Sequence, residues 1–335
     1  MARIVQAIQD PELRVQILSR RELRYTAGPD LALDRPGHVR AASDLAWVEQ
    51  RLVVLQDDTN FLALVDRATG RVDAVTLPAG VDGRRQYDSL RGTKEHKLDL
   101  EAGTVVPTPT GPLLLAFGSG SGSSVLREQV VMVDGWPDKL RVRVRHADRL
   151  YALLRERVDF SGSELNVEGA VFDRGVVRFL QRGNGAPRES LLPVDATCEL
   201  AWETLEPYLR EQTDAPPTLQ NVVQYQLGAL EGCRLTFTSG AVTPRGFFYA
   251  ATAEDSPDAV QDGPVTGSAL GVFSEDGVVR WAAVTDSHGD LARVKIEGLA
   301  LDTSTGERAY LVADPDDPTL PATLFEVALS GPWHG

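Results

Sequence analysis

Sulfur and imidazole are scarce in this chain of 335 residues, which has two cysteines and five histidines. The histidines (His38, His96, His146, His288 and His334) are scattered, and Cys198 and Cys233 stand 35 residues apart. No Cys/His set falls at zinc-ligand spacing. No disulfide framework is legible either, so both cysteines read as free thiols. No apolar run reaches the length of a membrane span, and Met1-Ala2-Arg3-Ile4-Val5-Gln6 lacks the apolar core of a secretion signal. With no Asn-x-Ser/Thr acceptor either, a reducing, cytoplasmic location is expected. Basic residues are in deficit, 34 Lys and Arg against 48 Asp and Glu, for a formal charge of -14. Such a surface repels phosphate backbones and anionic lipid. It argues against nucleic-acid and membrane partners and in favour of cations.

Turn-forming residues, by contrast, are plentiful. Thirty glycines and twenty prolines are spread along the chain and not pooled in a linker, which suits many short strands joined by tight turns. A turn of small residues carrying an acidic or hydroxyl side chain into an apolar strand recurs five times. The five are Ala42-Ser43-Asp44-Leu45-Ala46, Leu100-Glu101-Ala102-Gly103, Val167-Glu168-Gly169-Ala170, Thr238-Ser239-Gly240-Ala241 and Ile296-Glu297-Gly298-Leu299. The steps of 58, 67, 71 and 58 residues between positions 43, 101, 168, 239 and 297 exceed a helical repeat and match propeller blades with decorated loops. The sequence therefore predicts an all-β fold over residues 1–335, a single β-propeller of antiparallel four-stranded blades. Five blades are expected, with six as the alternative if segments 3–42 and 78–97 add one.

Each turn leads through a first strand to a strongly apolar second one: Leu52–Leu55, Leu113–Phe117, Val176–Leu180, Phe247–Ala251 and Tyr310–Ala313. Third strands follow at Phe61–Val65, Gln129–Val133, Ser190–Val194, Ala269–Phe273 and Thr323–Val327. More polar fourth strands follow at Arg71–Leu77, Leu140–Arg145, Val222–Leu227 and Val278–Thr285. The last repeat lacks a fourth strand, and Arg14-Val15-Gln16-Ile17-Leu18 is free to supply it and close the ring. Apolar positions 198, 201, 202, 205 and 209 are spaced as on a helix, predicting a helical insertion at about 197–212, interrupted by Pro207.

In a propeller the second strand returns to the face where the first began. The exits from the second strands then lie beside the repeat residues. Asp57, Ser119, Arg182, Glu254 and Asp314 follow their repeat positions by 14, 18, 14, 15 and 17 residues. Small residues after the repeat position (Ala102, Gly169, Gly240, Gly298) fit a crowded axis. Ser43, Glu101, Glu168, Ser239 and Glu297 are thus expected to ring the axial mouth. Two carboxylates about 6 Å apart repel by roughly 3 kcal/mol at an effective dielectric near 20. A bound cation, a raised carboxyl pKa or neighbouring bases must compensate. Glu101, Glu168, Glu297, Asp57, Glu254 and Asp314 are the candidate metal ligands, and an all-oxygen set suits Ca²⁺ or Mg²⁺. The alternative is structural, with the glutamates pairing Lys97, Arg127, Arg182 or Lys295 and capping backbone amides. Arg182, Lys295 and His288 are the candidate catalytic residues, with His96 a second imidazole near the axis. The segment Gly118-Ser119-Gly120-Ser121-Gly122-Ser123-Ser124 lacks the Gly-Lys-Ser/Thr ending of a phosphate loop and the register of a nucleophile elbow, and reads as a rim loop.

Lys97-Leu98-Asp99-Leu100-Glu101, Gly118-Ser119-Gly120-Ser121, Asn166-Val167-Glu168-Gly169-Ala170, Gln181-Arg182-Gly183-Asn184-Gly185, Asp262-Gly263-Pro264-Val265-Thr266-Gly267-Ser268 and Lys295-Ile296-Glu297-Gly298 together resemble an uncharacterised bacterial family of β-propellers. More distantly, the Glu-Gly step at Glu168 and Glu297 is similar to phytase-like, esterase-like and lactonase-type propellers. That resemblance implies calcium held by carboxylates on one face and hydrolysis of esters, lactones or phosphoesters. Two functions are therefore expected in competition: a metal-dependent hydrolase of a small ester, lactone or phosphoester, and a non-catalytic binding or interaction propeller whose rim loops take a small molecule at the axial face or a protein partner. Trp47, Tyr87, Trp136 or Trp281 exposed at the mouth would favour the second.

Overall fold

The computed structural model describes residues 3–243, 246–255, 263–274, 277–302 and 306–333; Asp262 and His334 lie outside them. The chain opens with strands β1 (Arg3–Gln9) and β2 (Arg14–Glu22). Antiparallel groups follow. The first joins β3 (Ala42–Val48), β4 (Arg51–Gln56), β5 (Phe61–Asp66) and β6 (Val72–Thr76). The second joins β7 (Leu100–Thr108), β8 (Gly111–Gly118), β9 (Gln129–Asp134) and β10 (Arg141–His146). In the third are β11 (Val167–Asp173), β12 (Val176–Gln181), β13 (Asp195–Ala201) and β14 (Gln220–Gln226). The short β15 (Ala229–Leu230) precedes the fourth: β16 (Cys233–Thr243), β17 (Gly246–Glu254), β18 (Val265–Phe273) and β19 (Val279–Thr285). The last comprises β20 (Ile296–Leu301), β21 (Arg308–Ala313) and β22 (Thr323–Ser330), with β2 antiparallel to β22 from Arg14–Ser330 to Glu22–Thr323. The protein is all-β and propeller-like.

Each first strand packs on the next: β3 on β7, β7 on β11, β11 on β16, β16 on β20 and β20 on β3. Apolar side chains alternate to both faces of every sheet, and the core is divided into five layers, one between each pair of neighbouring groups. Strand β1 runs parallel between the outer strands β14 and β19. Segment 78–97 contributes two short 3-10 turns and no strand, and β1 and β2 join existing groups. Among the described residues no helix is long and apolar enough to cross a membrane. Cys198 and Cys233 are both free.

Two expectations need correction. The third strand of the third group is Asp195–Ala201, not Ser190–Val194, so the first part of the expected helical insertion is strand. Cys198 and Leu200 alternate into the core while Thr197 and Glu199 face the other way, a period of two that also satisfies part of the helical spacing. Only Trp202–Leu209 is helical (α3 in chain order), and Pro207 lies inside it. Two further helices, α1 (Asp148–Glu156) and α2 (Val158–Ser161), were not expected. They bury Leu150, Tyr151, Leu154 and Phe160 against the second and third groups.

Crowding at the axis is measurable at Gly298. A Cβ there would stand 2.8 Å from the Asp44 carbonyl carbon and 2.8 Å from the Leu45 nitrogen, both backbone atoms. Gly298→Ala is expected to cost about 1–3 kcal/mol in denaturant unfolding, as overpacking a tight core does. A neutral result would mean the inner strands are free to spread.

Candidate functional site

All five inner strands bear a β-bulge, near the start in four of them and mid-strand in β16. The skipped residues are Ser43, Glu101, Glu168, Thr238 and Glu297. A bulge leaves one residue outside the ladder and re-aims its side chain. In the fourth group this residue is Thr238, so Ser239 is corrected to the next position, in register with Asp44, Ala102, Gly169 and Gly298. Ser239 has another task. Its hydroxyl donates to Asp44 Oδ1 (2.7 Å) and accepts from the Leu299 amide (3.1 Å), while the Gly103 amide donates to Asp44 Oδ2 (2.6 Å). Because β3 and β16 do not pack directly on one another, the Asp44–Ser239 bond ties together two first strands that are not neighbours.

Beside the bulges lies a cavity of about 610 Å³. Ser43, Glu101, Glu168 and Glu297 line it, together with Asp57, Arg182, Glu254 and Asp314 from the second-strand exits. Lys97, Asp99, Asn166 and Lys295, all beside the bulges, line it too. Two of the bulge glutamates meet the residue two positions before them: Asn166 Nδ2 donates to Glu168 Oε1 (2.7 Å), and Lys295 Nζ pairs with Glu297 Oε1 (3.1 Å). The wall from segment 78–97 is fixed by buried Arg40, which donates to Asp58, Gln86 and Asp88.

Among the described residues, eleven Asp and Glu line the cavity against five Lys and Arg. Four of those bases are already paired. Lys97 bridges Asp57 and Asp99, and Lys295 reaches Glu297 and Asp316 (3.0 Å). Arg182 reaches Glu168 (3.3 Å) and Glu254 (2.7 Å), and Arg127 lies 3.5 Å from Asp99. Glu254 uses both oxygens, since Oε1 also accepts the Gly263 amide (2.8 Å). Asp57 Oδ1, Thr238 Oγ1 and Glu297 Oε2, in contrast, are buried without a hydrogen-bond partner.

The electrostatics follow. Burial, then the Asp57, Glu168 and Asp99 carboxylates, push the Glu101 carboxyl well above the usual range. Burial and then Asp316 and Asp57 do the same to Asp314. Burial lifts Glu297 to about 7 against the pull of Lys295 and Arg182. Burial works to lower Lys97, but Asp57, Asp99 and Glu101 outweigh it and hold the ammonium well above its ordinary value.

Among the described residues, the acidic group whose ligand atoms lie within 4.8 Å of one another is Asp57, Asp99 and Glu101. The three bulge glutamates do not form such a group by themselves. Asp99 was missed as a ligand candidate: it lies just before β7 in a left-handed backbone conformation (φ 56°), which strand alternation does not anticipate. His288 and His96 do not line the cavity, and the His288 side chain is 81% exposed in a turn with Asp286. Of the four aromatics considered, only Tyr87 lines the mouth, and it is itself buried.

Solved structures with a similar chain path include glutaminyl cyclase of Myxococcus xanthus, at 11% identity over 98% of both chains with a TM-score of 0.49. The holo PQQ domain of pyranose dehydrogenase from Coprinopsis cinerea matches at 13% identity over 97% of this chain and 100% of that one, TM-score 0.39. A putative gluconolactonase matches at 13% over 97% and 95%, TM-score 0.39. Likenesses this distant carry no reading of function. No curated protein matches the sequence. Residues 38–329 match the profile of a family of unknown function, DUF6929, and the chain belongs to that family.

Proposed function

We propose that the chain is a five-bladed propeller, closed by its N-terminal strand β2, whose axial mouth binds a divalent cation and a small polar molecule. Asp57, Asp99 and Glu101 are the proposed ligands and Ca²⁺ or Mg²⁺ the ion, because the set is all oxygen. The observation that carries this reading is the clustering of those three carboxylates within 4.8 Å, with Asp57 Oδ1 orphaned, in a cavity where acids outnumber bases. Such an ion supplies Lewis acidity to a carbonyl or phosphoryl oxygen. Arg182 and Lys295, fixed by their glutamates, hold positive charge at the cavity wall where a leaving oxygen gains negative charge. The reaction this equips is hydrolysis of a small ester, lactone or phosphoester. Partners in the form of nucleic acid or membrane are not expected at so acidic a mouth.

A second reading, a non-catalytic binding pocket, is favoured by one observation: among the described residues no histidine lines the cavity and four of the five bases lining it are ion-paired. Calorimetric titration with Ca²⁺ and Mg²⁺ tests the common part. Glu101→Gln keeps the shape and removes the charge, so it is expected to weaken cation binding at least about tenfold, the loss of about 1.4 kcal/mol. Wild-type protein that takes up neither ion at millimolar concentration overturns the cation site. Hydrolysis of an ester, lactone or phosphoester panel, lost in the same variant, separates the enzyme from the binding module.

A further inference from the structure

We propose that the Glu297 side of the cavity is a second subsite, one that receives the ammonium group of a small amine-bearing molecule. This deepens the reading of the mouth as a ligand pocket and needs no metal to hold. Glu297 is 7% exposed and lines the cavity. Its Oε1 accepts from Lys295, while Oε2 is buried with no donor. A buried carboxylate oxygen without a donor is costly, and a ligand N–H supplies what the protein does not.

Charge selects the class of ligand. Lys97, Lys295, Arg182 and Arg127 each already hold a carboxylate, which leaves little to neutralise an incoming phosphate or carboxylate. The acids remain in excess even after one divalent ion is bound at Asp57, Asp99 and Glu101. An uncharged hydroxyl can donate to Glu297 Oε2 but leaves that excess in place. An ammonium does both, through a charge-assisted hydrogen bond. Ala41, Ala42, Tyr87, Leu90 and Pro318 give the lining an apolar share beside its polar side chains, so the body of the ligand is of mixed polarity. Of the substrate types considered above, the phosphoester is the one this subsite disfavours.

The test is a trio of hexitols differing in charge: 1-amino-1-deoxysorbitol, sorbitol and sorbitol 6-phosphate, titrated calorimetrically at pH 7.5. The amine is expected to bind at least about tenfold tighter than sorbitol, and the phosphate more weakly than either. Glu297→Gln is expected to erase most of the amine's advantage while leaving sorbitol binding in place. Should that variant fail to fold, Asp317→Asn, which removes an ionised carboxylate from the same lining, is expected to reduce the same advantage. An amine that binds no tighter than sorbitol, a phosphate that matches it, or a preference untouched by the folded variant overturns the assignment. Repeating the titrations with saturating Ca²⁺ and with EDTA separates the two proposals. Amine preference without Ca²⁺ binding removes the cation site alone; Ca²⁺ binding without charge preference removes this subsite alone.

Discussion

Lys97→Met is expected to lower stability by about 3–5 kcal/mol in divalent-free buffer, with Ca²⁺ or Mg²⁺ restoring much of the loss. The Lys97 side chain is 7% exposed and its ammonium bridges Asp57 and Asp99. Removing one partner of a buried ion pair leaves the other charges uncompensated, and losses of that size are typical. Asp99 retains Arg127 and the Ser119 hydroxyl, so the larger part of the strain falls on Asp57. For a chain of this size the expected drop in melting temperature is about 6–10 °C, at roughly 2 °C per kcal/mol. Methionine keeps the length of the side chain and offers no charge. The cation should therefore bind the variant without competition, and at a hundredfold excess over its dissociation constant it returns about 2.7 kcal/mol. A variant as stable as wild type would show that Lys97 neutralises nothing. A destabilised variant that neither ion rescues would identify the ammonium as the site's permanent cation and remove the metal.

The sequence made the rough position of this site legible because the repeat and the strand exits are both local features. Glu101, Glu168 and Glu297 open inner strands, and Asp57, Arg182, Glu254 and Asp314 follow after near-constant intervals; the same cavity is lined by all seven. The antiparallel pairing of Arg14–Glu22 with the final strand was legible for a different reason: the last repeat ran out of chain. Bulges were not legible. The Ser239-Gly240 step imitates Glu168-Gly169, and so Ser239 stood where Thr238 belongs. Asp44, which broke the run of small residues, turned out to pair with Ser239. The side-chain pairings that divide the cavity into committed and uncommitted acids were hidden as well. Lys97 meets Asp57 from the neighbouring group, a contact that depends on how adjacent sheets are set and that no spacing encodes. Residues 195–201 illustrate the remaining ambiguity, since a short apolar run fits a strand and a helix alike until its partners β12 and β14 are known.

Stability in divalent-free buffer is expected to fall as pH rises from 5 to 8. Glu297 has its carboxyl lifted to about 7 from 4.5, and Glu101 and Asp314 are displaced in the same direction. For an acid raised in the folded state, the neutral form is the one the fold prefers. Below pH 4.5 both folded and unfolded chains are protonated and the group is silent. Between 4.5 and 7 the unfolded chain ionises first, so the folded state loses ground. Above 7 the penalty is complete, about 3 kcal/mol for Glu297 alone. His38, held below its usual value by burial, acts oppositely as pH drops below 6.5. The diagnostic is therefore the difference between wild type and Glu297→Gln, which should be small at pH 5 and favour the variant at pH 8. Ca²⁺ or Mg²⁺ should raise the melting temperature more at pH 8 than at pH 5, because a carboxylate ligand must shed its proton to bind. A wild-type stability that climbs over this range relative to the variant would mean that the cavity's acids are already compensated, leaving no charge for a metal or an amine to neutralise.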